Sequence, residues 1–286
     1  MKMKLTEEIA KLSKESNHQD GDSYRSISVE STLKISQIHR CHGRDVEITA
    51  LEAGIVPERY ARNMKTYSHT QQAVLLKSTV SIVGLGGLGG VVVEILARMG
   101  TGSLNLIDGD IFEESNLNRQ FLSSEKALQQ TKAESAEKRI NAINSSLIIH
   151  THPEYVNEEN AVDYLGKSDV IVDCLGGIQD RFVLEKASKK VGCPLISGAV
   201  AGLSGHVTTI FPNDLGLESI YGKPSDLPAS GAEASLGCLP QIVTLVAAIQ
   251  CSEVAKIILN KEVLFRNKIF TIDLLENVFE ILDLAG

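Results

Sequence analysis

SIVGLGGLGG at residues 81–90, followed by LIDGD at 106–110 and SNLNRQ at 115–120, decides the fold of this 286-residue chain. The run 79–83 is apolar and β-branched and reads as a buried strand, and 91–99 continues as an apolar helix. Between them Gly84, Gly86 and Gly89 stand in the GxGxxG register, with Gly87 inside it. Glycines there let the backbone turn tightly and approach a phosphate, while the helix start offers unpaired N–H groups to an anion. Asp108 closes the next strand 19 residues after Gly89, where a carboxylate can accept hydrogen bonds from ribose hydroxyls. Strand, turn, helix and acid together predict a nucleotide site.

Outward from that turn, strands at 79–83, 103–107, 147–152, 170–174 and 195–198 alternate with helices at 87–99, 132–144, 158–165 and 179–191. This alternation predicts an α/β fold with a doubly wound, mostly parallel, Rossmann-like sheet. A strand at 206–211, a helix at 240–259 and closing strands at 268–273 and 278–282 predict an antiparallel continuation. The turn-rich segment 212–237 is long enough to be a lid or binding loop. Residues 1–56 read as a small helical appendage, with a frayed polar start to about residue 26 and a helix pair in 31–53 broken near Gly43. Residues 57–286 read as the nucleotide-binding domain.

The net charge of −8 and the absence of Trp argue against nucleic acid as a partner. Five scattered cysteines without a CxxC pair fit a reducing compartment and give no zinc framework. With no signal-like segment, and a longest apolar stretch at 242–249, the expectation is a soluble cytoplasmic protein with no membrane contact.

At SNLNRQ the pattern becomes specific. ERYARN (58–63), GLGGLG (84–89), IDGDIFEESNLNRQFL (107–122), TKAES (131–135), DVIVDC (169–174), PLISGAVAG (194–202) and KIFTIDLL (268–275) occur in one order and spacing. The combination resembles the ThiF/MoeB/HesA family, bacterial relatives of ubiquitin-activating enzymes. That resemblance implies Mg-ATP-dependent adenylation of the C-terminal glycine of a small ubiquitin-like sulfur carrier ending in Gly-Gly. It places Arg119 and Lys132 on the phosphates, Asn116 beside them with Ser115 and Asp110, Asp108 on the ribose and Gly87 along the nucleotide. It also gives Arg62 the γ-phosphate of the partner subunit, which implies a homodimer.

Three departures from the family pattern bear on mechanism. The position that usually carries a magnesium-binding Asp after the strand ending at Cys174 is Gly176, followed by Gly177. The two glycines admit backbone to the phosphates, and Asp173, Asp110 or Asp180 is left to hold Mg2+. The zinc-binding CxxC pairs of many relatives are absent, so no zinc is expected. The 212–237 loop has no cysteine, and Cys238 just beyond it reads as a packed residue, with a nucleophilic role as the alternative. Two other functions stay open at this point: a catalytically weak, carrier-binding nucleotide scaffold, and an NAD-dependent oxidoreductase.

Overall fold

The computed structural model describes residues 2–228 and 231–284. The chain runs α1 (Lys2–Leu12), β1 (Lys14–Asn17), β2 (Ser23–Ile27), α2 (Val29–His39), α3 (Gly43–Glu52) and β3 (Val56–Pro57). A 3-10 turn, Glu58–Asn63, leads to α4 (His69–Lys77), β4 (Thr79–Val83), α5 (Gly87–Met99) and β5 (Ser103–Ile107). Then come α6 (Lys132–Ile143), β6 (Ile148–His152), α7 (Ala161–Leu165), β7 (Val170–Asp173), α8 (Ile178–Val191), β8 (Leu195–Ala201) and β9 (Ser204–Ile210). Short helices α9 (Glu218–Tyr221) and α10 (Glu233–Leu236) interrupt the long loop before α11 (Pro240–Ile258), β10 (Lys268–Asp273) and β11 (Val278–Asp283). Ala229 and Ser230, in that loop, lie outside the described residues.

The main sheet has the order β11-β10-β9-β8-β7-β4-β5-β6. Strands β6, β5, β4, β7 and β8 run parallel, and β9, β10 and β11 continue antiparallel. Val80, Ile82, Leu104 and Leu106 are wholly buried, as expected of strands covered by helices on both faces. Chain order reverses at β4, flanked by β5 on one side and β7 on the other, and such a switch point opens a crevice at the carboxyl ends of the strands. α11 has 19 residues and is apolar enough to cross a membrane, a length the 242–249 stretch alone understated. Here it is a core helix: Ile242, Val243, Val246, Ala247 and Val254 are buried in the main core together with Leu88 and Val92 of α5.

The N-terminal region corrects one expectation. The helix pair is present as α2 and α3, but the segment before residue 26 is not a frayed coil. α1 buries Leu5 and Ile9, and β1, β2 and β3 form a three-stranded sheet, so the appendage is α/β rather than helical. Met1 lies outside the described residues. Leu5, Ile9, Ile27, Ile35, Val46, Ala50 and Ile55 make a core separate from that of the main sheet. Glu47 on α3 joins the two parts: its buried carboxylate accepts from the Tyr60 hydroxyl at 3.2 Å and the Ser146 hydroxyl at 2.9 Å, beside the Arg59 guanidinium at 3.3 Å. Burial pushes its pKa up against the pull of Arg59.

Candidate active site

The glycine turn is built by close approach. Gly84 has φ +88°, and a Cβ there would stand 2.7 Å from the Cys174 carbonyl oxygen. A Cβ on Gly89 would stand 1.8 Å from the Gly84 carbonyl oxygen, so only glycine lets α5 start this near β4. No side chain caps α5 at Gly86, which leaves its first N–H groups for a ligand. Asp108 braces the turn: its carboxylate accepts from Leu85 N–H at 2.6 Å and Asp110 N–H at 2.8 Å. Burial raises its pKa, opposed by those two hydrogen bonds and by Lys132.

A cavity of ≈ 1190 Å³ opens over this turn along the carboxyl ends of the strands. It brings together Gly84, Gly86, Gly87, Asp108, Asp110 and Ser115. Arg119, Lys132, Gly176 and Gly177 complete the predicted set along its wall. Lys132 is 6% exposed at the start of α6, where Thr131 caps the helix, and its Nζ lies 2.9 Å from Asp110 Oδ2. The Tyr155 hydroxyl also donates to Asp110. Burial pushes the Asp110 pKa up, but Tyr155 and Lys132 outweigh it and hold the carboxyl below its ordinary value. Arg119 donates to the Ser115 carbonyl at 3.0 Å and to Asn118 Oδ1 at 2.9 Å.

Four predicted residues stand elsewhere. Gly89 does not line the cavity and acts through turn geometry alone. Asn116 is buried outside the lining, where its Oδ1 accepts from Glu113 N–H at 3.0 Å and closes the local turn. Arg62 is exposed on the 3-10 turn, away from this chain's own cavity. Asp173 is the clearest correction. It is wholly buried, ion-paired to Arg181 at 2.8 Å, and accepts from the Ser197 hydroxyl at 2.6 Å and Leu175 N–H at 3.0 Å. A carboxylate engaged on both oxygens and sealed from the cavity is a structural anchor, not a magnesium ligand. Cys238 lines the cavity half-buried, with its thiol pKa pushed up by burial, which disfavours the thiolate.

Other lining residues carried weaker signals. Gln120 follows Arg119 in the quoted motif; it is 6% exposed and its Oε1 has no partner, an acceptor placed for a ligand's donor. Asn118 reaches from the same segment to the Cys238 carbonyl at 3.2 Å. Tyr155 follows β6, and its position at the carboxyl edge of the sheet was the only hint of it. Arg181, His206 and Tyr221 had no local signal, because they meet only through the packing of α8, β9 and α9. His206 Nε2 lies 2.8 Å from the Tyr221 hydroxyl, and burial beside the Arg181 charge drops its pKa to about 4.

Residues 60–285 match the ThiF family, which is most of the chain. The chain belongs to the ThiF family. Among relatives, the "SAMP-activating enzyme E1" of Haloferax volcanii is 29% identical over 228 residues, covering 78% of this chain and 83% of that protein. The "Adenylyltransferase and sulfurtransferase MOCS3" of Drosophila yakuba is 34% identical over 203 residues, covering 70% of this chain. This chain spans 45% of that longer relative's length. Among solved structures, Escherichia coli MccB superposes with a TM-score of 0.70 at 23% identity, covering 79% of this chain and 69% of that one. PaaA superposes with a TM-score of 0.67 at 22% identity. These superpositions confirm the ThiF-type α/β fold. In this ThiF-family chain the glycine turn, Lys132 and Arg119 line one crevice.

Proposed function

We propose that the chain adenylates the C-terminal glycine of a small ubiquitin-like sulfur carrier ending in Gly-Gly, using Mg-ATP, and acts as a cytoplasmic homodimer. One observation carries the reading: a single cavity joins an anion cradle, with two cations beside it, to a channel running past β8 to β11. A nucleotide fills the first part and leaves the second for an extended peptide tail. The attacking carboxylate has a pKa near ~3.5 and is ionised at neutral pH, so no general base is required. One of its oxygens bonds to the α-phosphorus, the bond to the bridging oxygen breaks, and pyrophosphate leaves with the electron pair. The barrier is largely repulsion between anions. Lys132, Arg119 and the free N–H groups at the start of α5 lower it by meeting the phosphates with fixed positive charge. Lys132 leaves Asp110 for the more highly charged triphosphate.

Mg2+ supplies further charge neutralisation when bound. Such an ion usually takes one or two carboxylates plus phosphate oxygens and water. Asp180 and Asp110, both on the cavity wall, are the carboxylates that suit it in place of Asp173. A Cβ on Gly177 would lie 2.5 Å from Asp180 Oδ2, so glycine at 177 keeps that carboxylate where it is. Among the described residues no group of three or more metal-ligating side chains stands together, and the phosphates complete the set. The exposed Arg62 reaches the γ-phosphate in the other subunit of the dimer.

ATP–pyrophosphate exchange with a carrier ending in Gly-Gly tests the reading. Exchange should require Mg2+ and the free terminal carboxylate. ATP binding without exchange for any carrier would support the scaffold reading, favoured by Gly176; tighter binding of NAD than of ATP would sink both. Mixing Arg62→Ala and Lys132→Met chains should restore part of the exchange that each lacks alone, if Arg62 acts across the dimer.

A further inference from the structure

Arg62, in its role across the dimer, must act from a fixed place, yet its own side chain has no anchor. It is exposed on the Glu58–Asn63 turn and makes no hydrogen bond or ion pair among the described residues. What holds that turn lies largely in the N-terminal appendage. β3 leads straight into it, and β3 pairs with β2 through Ser26 beside Val56 and Ile27 beside Pro57. On the inner side Glu47 of α3 engages Tyr60 and Arg59, and Asn63 donates to Gln72 of α4 at 2.9 Å. On the outer side β1 and β2 form a hairpin that grips both flanks of Arg62. The Tyr24 hydroxyl donates at 3.0 Å to Oε1 of Glu58, which stands before Arg62 on the turn. Lys65, which follows Arg62, reaches Asp20 at 2.8 Å and Asp22 at 2.6 Å.

The Tyr24 ring stacks on His18 with centroids 4.2 Å apart, so the donor is set within the hairpin itself. Burial and Glu58 raise the Tyr24 pKa and the Arg62 charge opposes them, which puts that guanidinium near the hydroxyl. Lys65, Asp20 and Asp22 are 50%, 53% and 71% exposed, and ion pairs so open to water add little stability. Their consequence is position. A group that acts on a reacting centre can lose on the order of 10²-fold when displaced by about 1 Å.

We infer that the β1–β2 hairpin mounts Arg62 for the nucleotide of the partner subunit, with Tyr24, Asp20 and Asp22 as positioning residues that act through Glu58 and Lys65. The inference rests on the reading that Arg62 reaches the γ-phosphate across the dimer. The hairpin touches no phosphate itself. It fixes the backbone on both sides of Arg62, so that the guanidinium searches a small volume and meets the γ-phosphate without the turn having to be ordered first. Loosening the hairpin therefore weakens recognition of the γ-phosphate and leaves the rest of the nucleotide bound as before.

The test measures, by calorimetry on the full chain with Mg2+, how much tighter a non-hydrolysable ATP analogue binds than ADP. Arg62→Ala should reduce that preference by about tenfold. Tyr24→Phe combined with Lys65→Gln should reduce it by about three- to tenfold with ADP affinity unchanged, and adding Arg62→Ala should cost nothing further. An unchanged preference in the hairpin variant, an equal loss for ADP, or losses that add to that of Arg62→Ala would overturn the inference. If Arg62→Ala itself keeps the preference, the cross-dimer reading falls and this inference with it. If only the hairpin variant keeps it, this inference falls alone. Mixed dimers give a second arm: the hairpin variant should recover pyrophosphate exchange with Lys132→Met chains but not with Arg62→Ala chains, and equal recovery in both would overturn the mount. Absence of exchange in the wild-type chain would remove adenylation and leave the binding measurement to decide.

Discussion

Asp173–Arg181 and Asp110–Lys132 are both carboxylate–cation contacts on the edges of one cavity, 2.8 and 2.9 Å long, and they are built for opposite ends. In the first, the two side chains are 0% and 6% exposed, and Arg181 also donates to the Gly198 carbonyl at 2.8 Å and to the Leu175 carbonyl. Every partner is protein, so the pair clamps β7, β8 and the start of α8 together. In the second, Asp110 is 48% exposed and water competes for it, while Lys132 remains buried at the cavity wall. A cation held by a half-solvated acid can be transferred to a phosphate at little cost; one sealed against a buried acid cannot. Burial of the carboxylate partner therefore separates the sealed anchor from the cation left available to a ligand.

The largest expected effect comes from breaking the sealed pair. Arg181→Met leaves Asp173 charged and dry, and urea denaturation should show a loss of about 3–5 kcal/mol. Adding Asp173→Asn should return much of that loss; if it does not, the clamp acts by shape rather than charge. Lys132→Met should do the reverse. It should lower the rate of pyrophosphate exchange by about 10²–10³-fold, as removal of a transition-state donor does, with stability changed by about 1 kcal/mol or less. A large stability loss there would place Lys132 with the anchors.

His206 sharpens the comparison through pH. Its folded pKa of about 4 lies below the unfolded value of 6.5, so the unfolded chain binds the proton first as pH falls. Its contribution is complete above pH 6.5 and is lost as pH drops from there toward 4, on the order of 2–3 kcal/mol. His206→Asn should flatten this part of the curve in urea midpoints taken at pH 7 and 5. The smallest effect concerns the open carboxylate beside Gly177. Asp180→Asn should weaken Mg2+ binding to the ATP-loaded protein by about tenfold in calorimetry. A Cβ on Gly176 meets nothing within 4 Å, so Gly176→Asp fits and should restore the affinity. Wild-type Mg2+ affinity in Asp180→Asn would exclude Asp180 as a ligand.

The parts that sequence made legible share one property: their cause is local. The strands at Thr79–Val83 and Ser103–Ile107 and the helix Gly87–Met99 fell on the expected residues, because periodicity and the glycine spacing act within a few positions. The glycine cradle followed from the same spacing, whereas Arg119 and Lys132 were implied only by the family resemblance. The N-terminal sheet was missed because β1 (KESN) is polar and β3 is only two residues long, so neither carries an alternating apolar pattern. Asp173 was misread for a related reason. Its position at a strand end is the same for a metal ligand and for an anchor, and Arg181 decides between them from the next helix.

Sequence alone settled the α/β class, the glycine turn and the kinship, since glycine geometry and hydrophobic period are written into neighbouring residues. Tertiary structure decided which acids are free and which are spent, and where Arg62 stands. Those outcomes depend on burial and on contacts between distant segments, and the electrostatic character of a side chain is set by what the fold places around it.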